Sequence, residues 1–263
     1  MKTRKAQLHI HSNYTDGLYS VETILKEAKK RKFDIISITD HNEIRGTIRA
    51  FELAKKYDLL VIPGIELYFK IDNRIYDLLV YFKEMKDLEG FFADFRKAKE
   101  FIPCFKNINE LIDKVKKYKG ISVIPHPYNE AKGLFKKKGL KEDIFKTFEG
   151  IETIDAFNSN KQNKKAENYF KDKNILKFGG CDLHIYLSSL DCAYTLLKSK
   201  SEIDYNNVWD NLVGKKKTIE FIPKGNALPS WKRKYQEIIC IFLIGLFITK
   251  QFLKFKLDRN EVK

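Results

Sequence analysis

The stretch Gln7-Leu-His9-Ile-His11-Ser-Asn-Tyr-Thr-Asp16-Gly17 decides the fold. Its first four residues, Gln7 to Ile10, read as a short strand, and His9 and His11, two apart, face the same side. Beyond Gly17, Ser20 followed by Glu22 and then Ile24, Leu25 and Ala28 reads as a capped amphipathic helix. A strand feeding a helix is a βα unit. The turn between them carries no glycine-rich phosphate loop of the kind that marks an open nucleotide-binding sheet. The expected fold is α/β, with parallel strands that close as a barrel.

Outward from this stretch, short runs rich in Ile, Val, Leu and Phe alternate with helical spacing. Strands are expected near Gln7 to Ile10, Ile35 to Thr39, Leu60 to Ile65, Asp77 to Phe82, Ile121 to Pro125, Ile151 to Ala156 and Leu176 to Gly179. Further helices are expected over Ile48 to Tyr57, Leu88 to Ala98, Ile108 to Tyr118 and Glu142 to Phe148. Seven strands make a barrel incomplete relative to eight. The 263 residues, 43% hydrophobic and 32% charged with both signs represented, suit one large domain or two small ones and exclude a disordered polyelectrolyte. Cys104, Cys181, Cys192 and Cys240 are irregularly spaced, with no Cys-x-x-Cys pair and no secretory signal. That excludes a disulfide scaffold or zinc ribbon and points to a reducing cytoplasm. A formal charge of +15 draws the molecule toward polyanions, nucleic acid or an anionic membrane, without bearing on fold.

His9 and His11 end the first expected strand, His41 the second and His126 the fifth, and His184 lies just past the last; these are all five histidines. Carboxylates accompany them: Asp16 after the first strand, Asp40 beside His41, Glu66 ending the third strand, and Asp182 two residues before His184. In a parallel αβ barrel the carboxyl ends of the strands are where loops meet above a packed interior and active sites form. Imidazole mixed with carboxylate suits Zn, Mn or Fe rather than Ca or Mg alone. A single histidine at a strand end is more often a hydrogen-bonded structural residue than a ligand. Five of five at one edge point instead to a multinuclear metal site.

These residues carry a resemblance. The segment His9-Ile-His11-Ser-Asn-Tyr-Thr-Asp16-Gly17, followed by Thr39-Asp40-His41-Asn42, Pro63-Gly64-Ile65-Glu66, Pro125-His126-Pro127 and Gly180-Cys181-Asp182-Leu183-His184, resembles the PHP (polymerase and histidinol phosphatase) family in order and separation across roughly residues 6 to 220. The resemblance implies a distorted seven-stranded (β/α)7 barrel that binds two or three divalent metal ions (Mn, Zn or Fe) and hydrolyses phosphoesters. Carried over by position, it implies that His9, His11, Glu66 and Asp182 hold one ion, that Glu66 bridges to a second with His126, and that Asp16, His41 and His184 hold a third. Relatives usually place a further histidine on the next strand. Here the aligned residue is Asp77 in Tyr76-Asp77-Leu78-Leu79, with Tyr76 as the competing alignment. Aspartate ligates with a shorter reach and an added negative charge, which changes the metal preference expected of the second position. Cys181, where relatives often have serine, reads as a packed small residue rather than a ligand.

Clustered cations bind a phosphate across them and activate a water, so the expected reaction is phosphomonoester or phosphodiester hydrolysis, with Asp182 and His184 nearest the proton transfers. Lys132, Lys136, Lys137, Lys138 and Lys141 crowd the loop after the fifth expected strand, and Lys161, Lys164 and Lys165 that after the sixth. Of these, Lys132, Lys136, Lys161 and Lys164 are the candidate substrate contacts. A basic rim focuses anions and favours nucleotides or nucleic acid ends over a small cationic ester such as histidinol phosphate. Solvated lysines on a lysine-rich protein are the alternative. The competing functions are a small-metabolite phosphatase and a metal-binding module without turnover, with Asp77 as the lesion.

Residues 1–223 are expected to form the phosphoesterase domain and residues 224–263 a basic, apolar tail. After Pro223, Gly225 and Pro229 and the basic Trp231-Lys-Arg-Lys234, the eleven residues Ile238 to Ile248 carry no polar side chain. A bilayer span takes about twenty, yet an all-apolar helix is buried somewhere, in protein or in lipid. Basic residues at both ends suit membrane contact through residues 235–255, peripheral or as a short tail anchor, with packing against protein as the alternative. The expected location is cytoplasmic.

Overall fold

Strand β1 (Lys2–Gln7) lies at the middle of a five-stranded sheet in the computed structural model, which describes residues 1–97, 102–239, 242–243 and 245–246. It pairs in parallel with β2 (Ile35–Ile36), which pairs in parallel with β3 (Leu60–Val61). On its other side it runs antiparallel to β9 (Ala193–Ser199), itself antiparallel to β10 (Ile219–Gly225). The second sheet has the order β4 (Gly64–Ile71), β5 (Arg74–Tyr81), β6 (Ile121–Ile124), β7 (Gly150–Asp155) and β8 (Leu176–Gly180). In it β5 runs antiparallel to both β4 and β6, and β6, β7 and β8 are parallel.

The α/β class is as expected, but in place of seven strands closing on themselves there are, among the described residues, ten strands in two five-stranded sheets and no closed barrel. Isolated bridges, Ile10 with Leu183 and His41 with Glu66, link the sheets at the strand ends that carry the histidines. One cause is a hairpin. Asp72 and Asn73 both take positive φ, 49° and 61°, the two-residue turn that Asp and Asn permit, so β5 returns antiparallel to β4 with no helix between. The other is the pair β9 and β10, past the last expected strand. β9 alternates buried and half-buried residues, the period of a strand with one covered face.

Helix α1 (Val21–Lys30) is capped by Ser20, whose side chain accepts from Thr23 N–H, and it buries Val21, Ile24, Leu25 and Ala28. Helices α2 (Arg45–Tyr57), α3 (Met85–Phe95) and α4 (Ile108–Lys117) follow close to expectation. Glu142–Thr147 is a 3-10 segment rather than an α-helix. Helix α5 (Asn160–Phe170) replaces the loop expected after β7, and its start is fixed by a reciprocal Ser159–Gln162 capping box. Helix α6 (Tyr205–Leu212) is capped by Asp204. Beneath the site, Ala6, Leu8, Leu79, Tyr81, Val123 and Phe178 form one apolar cluster, joined to the histidine strand by a bond from Tyr81 Oη to Leu8 O (2.7 Å).

After β10 the chain returns across the body, with Leu228 N–H donating to Ala156 O (2.7 Å), and residues 230–239 are helical. Gln236 on this helix is fully buried and its Nε2 donates to Asp182 O (3.3 Å). Of the apolar run Ile238 to Ile248, residues 240, 241, 244 and 247–248 lie outside the described residues, as do residues 249–263. Much of the expected membrane-contact segment 235–255 therefore lies outside them too. Among the described residues no helix is long and apolar enough to cross a membrane.

Candidate metal centre

Past Gln7 the chain is held against the end of β8 by the Ile10–Leu183 bridge and by His11 N–H donating to Leu183 O (3.0 Å), which turns His9 and His11 inward. Both imidazoles close on the same two carboxylates. His9 Nε2 lies 3.2 Å from Glu66 Oε2 and 3.3 Å from Asp182 Oδ1, and His11 Nε2 lies 3.0 and 3.1 Å from the same atoms. His41 has Nδ1 3.2 Å from Glu66 Oε2 and Nε2 3.6 Å from Asp16 Oδ2. His184 Nε2 is 3.1 Å from Asp16 Oδ2, and its Nδ1 is 3.4 Å from Asp182 Oδ1. At the opposite end His126 Nε2 is 3.3 Å from Glu66 Oε1 and 3.5 Å from Asp77 Oδ2. All nine residues expected as ligands are thus brought together and buried. Their ligand atoms fall into three groups, each within 4.8 Å: His11, Asp16, His41 and His184; His9, His11, Glu66 and Asp182; and Glu66, Asp77 and His126.

The hairpin places the third group. Its register sets Tyr68 opposite Asp77 and Glu66 opposite Leu79, so Glu66, Tyr68 and Asp77 share the inner face. Tyr76 points the other way and packs against Phe69, with ring centroids 5.9 Å apart. The residue that faces the centre is therefore Asp77. Asp40 plays a different part: it accepts from Ser12 N–H (2.6 Å), Ser12 Oγ (2.6 Å) and Thr15 Oγ1 (3.0 Å), pinning the loop between His11 and Gly17. Cys181 is fully buried and its Sγ donates to His9 O (3.3 Å). His126 and Asp182 both take positive φ, 25° and 44°, a backbone conformation that costs on the order of 1–3 kcal/mol at a non-glycine residue and clusters at functional sites.

Sequence reasoning confined to strand ends missed Glu152, which sits inside β7. Its carboxylate oxygens lie 3.1 and 3.2 Å from His9 Nδ1, and Oε2 accepts His126 N–H (3.1 Å), so it orients two of the five imidazole-bearing residues. Gly180 makes room for it: a Cβ there would stand 1.8 Å from Glu152 Oε1. Asp155, with Glu152 and His9, completes a further group of metal-ligand type. Two acids inside one buried strand, Glu152 and Asp155, were the available signal. Tyr68 also went unsuspected; its ring stacks on His41, with centroids 3.8 Å apart and planes 15° apart.

Burial alone would lower the pKa of His9, His11, His41 and His126. Asp182 and Glu66 reverse this for His11, pushed up to about 10, and Glu66 and Asp77 for His126, pushed up to about 9. His9 is likewise raised, against its burial, by Glu152, Glu66 and Asp182. For His41 burial wins and the pKa falls well below the usual value. Burial lifts Asp77 to about 7 against the pull of Lys132, whereas Asp16, despite burial, is held far below the carboxylate range by His184 and His41. Both oxygens of Glu66 and of Asp182, both ring nitrogens of His11, His41 and His126, and His9 Nε2 are buried without a hydrogen-bond partner. Such orphaned atoms are costly. Here they are all of ligand type and converge on shared points, which fits divalent cations.

The lysines divide. Lys132 is not on a rim: its Nζ lies 3.2 Å from Asp77 Oδ2 and donates to Tyr68 Oη (3.0 Å), with only 19% of the side chain exposed. Lys136 donates to Ile75 O (2.7 Å) and Ala131 O (2.6 Å) and, with Lys137, Lys161 and Lys165, lines a cavity of about 690 Å³ that also presents Tyr128 and Phe135. Lys164, on the other side of α5, lines a different hollow with Asn163 and Glu167. Lys161 and Lys164 therefore do not serve one rim.

A model of the PHP domain family matches residues 7–121. The chain is also 30% identical over 165 residues to an uncharacterised protein of Methanocaldococcus jannaschii, an alignment that covers 58% of this chain and 82% of that relative. The chain belongs to the PHP domain family. Among solved structures this PHP chain resembles a two-domain protein of Bacteroides vulgatus containing a predicted PHP-like metal-dependent phosphoesterase, with 19% identity and a TM-score of 0.63 over 86% of this chain and 65% of that one. It also resembles the lesion-specific endonuclease Q of Pyrococcus furiosus, with 14% identity and a TM-score of 0.62 over 85% of this chain and 59% of that one. Endonuclease Q has also been solved in complex with a 27-mer duplex substrate carrying an abasic lesion at the active site. At these identities the likeness is one of fold, and the PHP chain spans about two thirds or less of both proteins.

Proposed function

We propose that this PHP protein hydrolyses nucleotide or nucleic acid phosphoesters in a metal-dependent reaction. Glu66 carries the reading: around its one buried carboxylate stand ring nitrogens of His9, His11, His41 and His126, at 3.0–3.3 Å. Imidazoles and carboxylates buried this closely suit a shared set of cations. His9, His11, Glu66 and Asp182 would hold one ion, and Asp16, His41 and His184 another beside His11. Glu66, Asp77 and His126 are the candidates for a third. Mn, Zn or Fe are the ions this ligand set suits. Bound there, they supply Lewis acidity and a nucleophile at neutral pH. The chain's own residues do the rest. Glu66 and Asp182 set the spacing, Glu152 orients His9, and His184, whose Nδ1 donates to Asp182 O (3.0 Å), is left with an unprotonated Nε2 turned to the centre as a ligand.

The lysine-lined cavity, which none of the ligand candidates lines, supports an anionic substrate: Lys137, Lys161 and Lys165 offer ammonium groups to phosphates, above the buried Tyr128 and Phe135. Endonuclease Q, which acts on a duplex substrate, is an instance of such chemistry on this fold. The test is to measure bound metal and assay a chromogenic phosphoester, nucleotides, oligonucleotides and histidinol phosphate. His9→Ala and Asp182→Asn should each lose more than about 100-fold in turnover, since even outer-shell changes at metal sites cost 10–100-fold. Undiminished hydrolysis in both would overturn the reading, and full metal content with no hydrolysis on any substrate would favour a binding module. Oligonucleotide turnover should fall steeply with salt; a flat response would favour a small metabolite.

A separate observation bears on the tail. Trp231, Tyr235, Ile238 and Phe242 are exposed at helical spacing, with Lys232, Arg233 and Lys234 beside them. This pattern favours contact with an anionic membrane surface. Co-sedimentation with phosphatidylserine vesicles that survives Trp231→Ala combined with Tyr235→Ala would overturn it.

A further inference from the structure

The Glu66–Asp77–His126 group differs from the other two in having a cation of the protein's own. The loop after His126 folds back on itself, with Asn129 N–H donating to His126 O (2.9 Å), Phe135 N–H to Pro127 O (2.8 Å) and Gly133 N–H to Asn129 O (3.0 Å). This turn carries Lys132 onto β5, where Asp77 N–H donates to Lys132 O (3.2 Å). The same two residues meet again through their side chains, Nζ to Asp77 Oδ2 at 3.2 Å, and Tyr68 Oη accepts from Nζ at 3.0 Å. Backbone and side chain together fix the ammonium. The oxygen it faces is the one that lies 3.5 Å from His126 Nε2 and so points into the third group. Among the described residues, the ion pairs of Asp16, Glu66 and Asp182 are all with histidines, and no lysine or arginine approaches them as closely.

We propose that the Lys132 ammonium takes the place of a divalent ion at the Glu66–Asp77–His126 end, so that the protein loads two ions rather than three. This rests on the reading of the centre as a metal site. A divalent ion ligated by Asp77 would share its carboxylate with an ammonium already seated there, and two cations on one low-dielectric carboxylate repel. Asp77 and Lys132 are then one device. The aspartate anchors a lysine that supplies the positive charge permanently, without dependence on metal supply. Tyr68 Oη accepts one of the three Nζ hydrogens and Asp77 Oδ2 is an ion-pair partner at 3.2 Å, which leaves the ammonium able to donate to a phosphate oxygen of the substrate.

The test is metal stoichiometry on the purified full chain, dialysed against excess Mn and, separately, Zn, then read by elemental analysis against protein concentration. Two ions per chain are expected for the wild type and for Lys132→Arg, and three for Lys132→Met, which keeps the length and removes the charge. Three ions in the wild type would overturn the inference while leaving the metal centre standing. So would two in Lys132→Met with an unchanged circular dichroism spectrum and Tm. No bound ion in the wild type would overturn the metal reading itself. Should Lys132→Met fail to fold, the wild-type count still decides against the inference if it is three, and Lys132→Gln supplies the neutral variant.

Discussion

The two ends of the centre balance buried charge in opposite ways. At one end His11, His41 and His184 gather round Asp16, with His11 and His184 stacked at 4.1 Å between centroids and His11 and His41 at 4.3 Å. No lysine or arginine is paired there among the described residues, and three rings crowd one carboxylate. At the other end His126 meets two carboxylates, Glu66 and Asp77, and Lys132 is already in place. The same fold edge thus holds a half whose carboxylate is matched only by imidazoles and a half that carries a fixed cation in the sequence. A ligand-type cluster is not by itself an ion site; what matters is whether the chain has already supplied the cation.

Glu66 is the residue both ends share, so changing it should have the largest effect. Glu66→Gln, which removes a charge facing His9, His11 and His41 as well as His126, is expected to lower affinity for both ions and turnover by more than about 100-fold, measured by dialysis and by kcat. Two ions held at wild-type affinity would mean that Glu66 is not shared between them. A smaller effect is expected from Glu152→Gln, which leaves every ligand and disturbs the orientation of His9 and His126. Metal affinity should fall about 10–100-fold with the fold intact. Gly180→Ala should reproduce it, because its Cβ would displace the same carboxylate. The smallest effect is one of pH. His11, at about 10 without metal, and His9, also raised, must give up protons to ligate. Affinity should therefore weaken as pH falls below about 10, with protons released on binding. His41, whose pKa burial lowers, contributes none. Calorimetry in two buffers of different ionisation enthalpy would count the protons, and a count of zero would show that the imidazoles are neutral before the ions arrive.

Much of the centre was legible in the sequence because most of its residues stand just past strand ends, where a period-two pattern breaks into a loop. His9, His11, His41, His126, Asp182 and His184 are of this kind, whereas Glu66, expected to end a strand, lies inside β4 opposite Leu79. Glu152 was not legible in that way, because within β7 only the pairing with β8 reveals which face of the strand looks on His9. Lys132 was misread as a rim residue for a related reason. Its loop curls back onto the β4–β5 hairpin, and a loop's path is set by long-range contacts that local spacing does not encode. The hairpin itself was signalled by Asp72-Asn73, residues that accept positive φ, but two apolar runs look alike whether they lie parallel or antiparallel.

The left-handed backbone at His126 and Asp182 has a consequence for how long the molecule lasts. At about 1–3 kcal/mol each, the two positions together hold about 2–6 kcal/mol of backbone strain, a substantial share of the 5–15 kcal/mol by which domains are usually stable. If ions bind at Asp182, their binding free energy offsets part of that load by mass action. A metal-free chain would then carry it whole, open more often and meet proteases sooner. The cellular half-life of this protein would then follow the supply of its metal, and starvation for the ion would remove the protein as well as its activity.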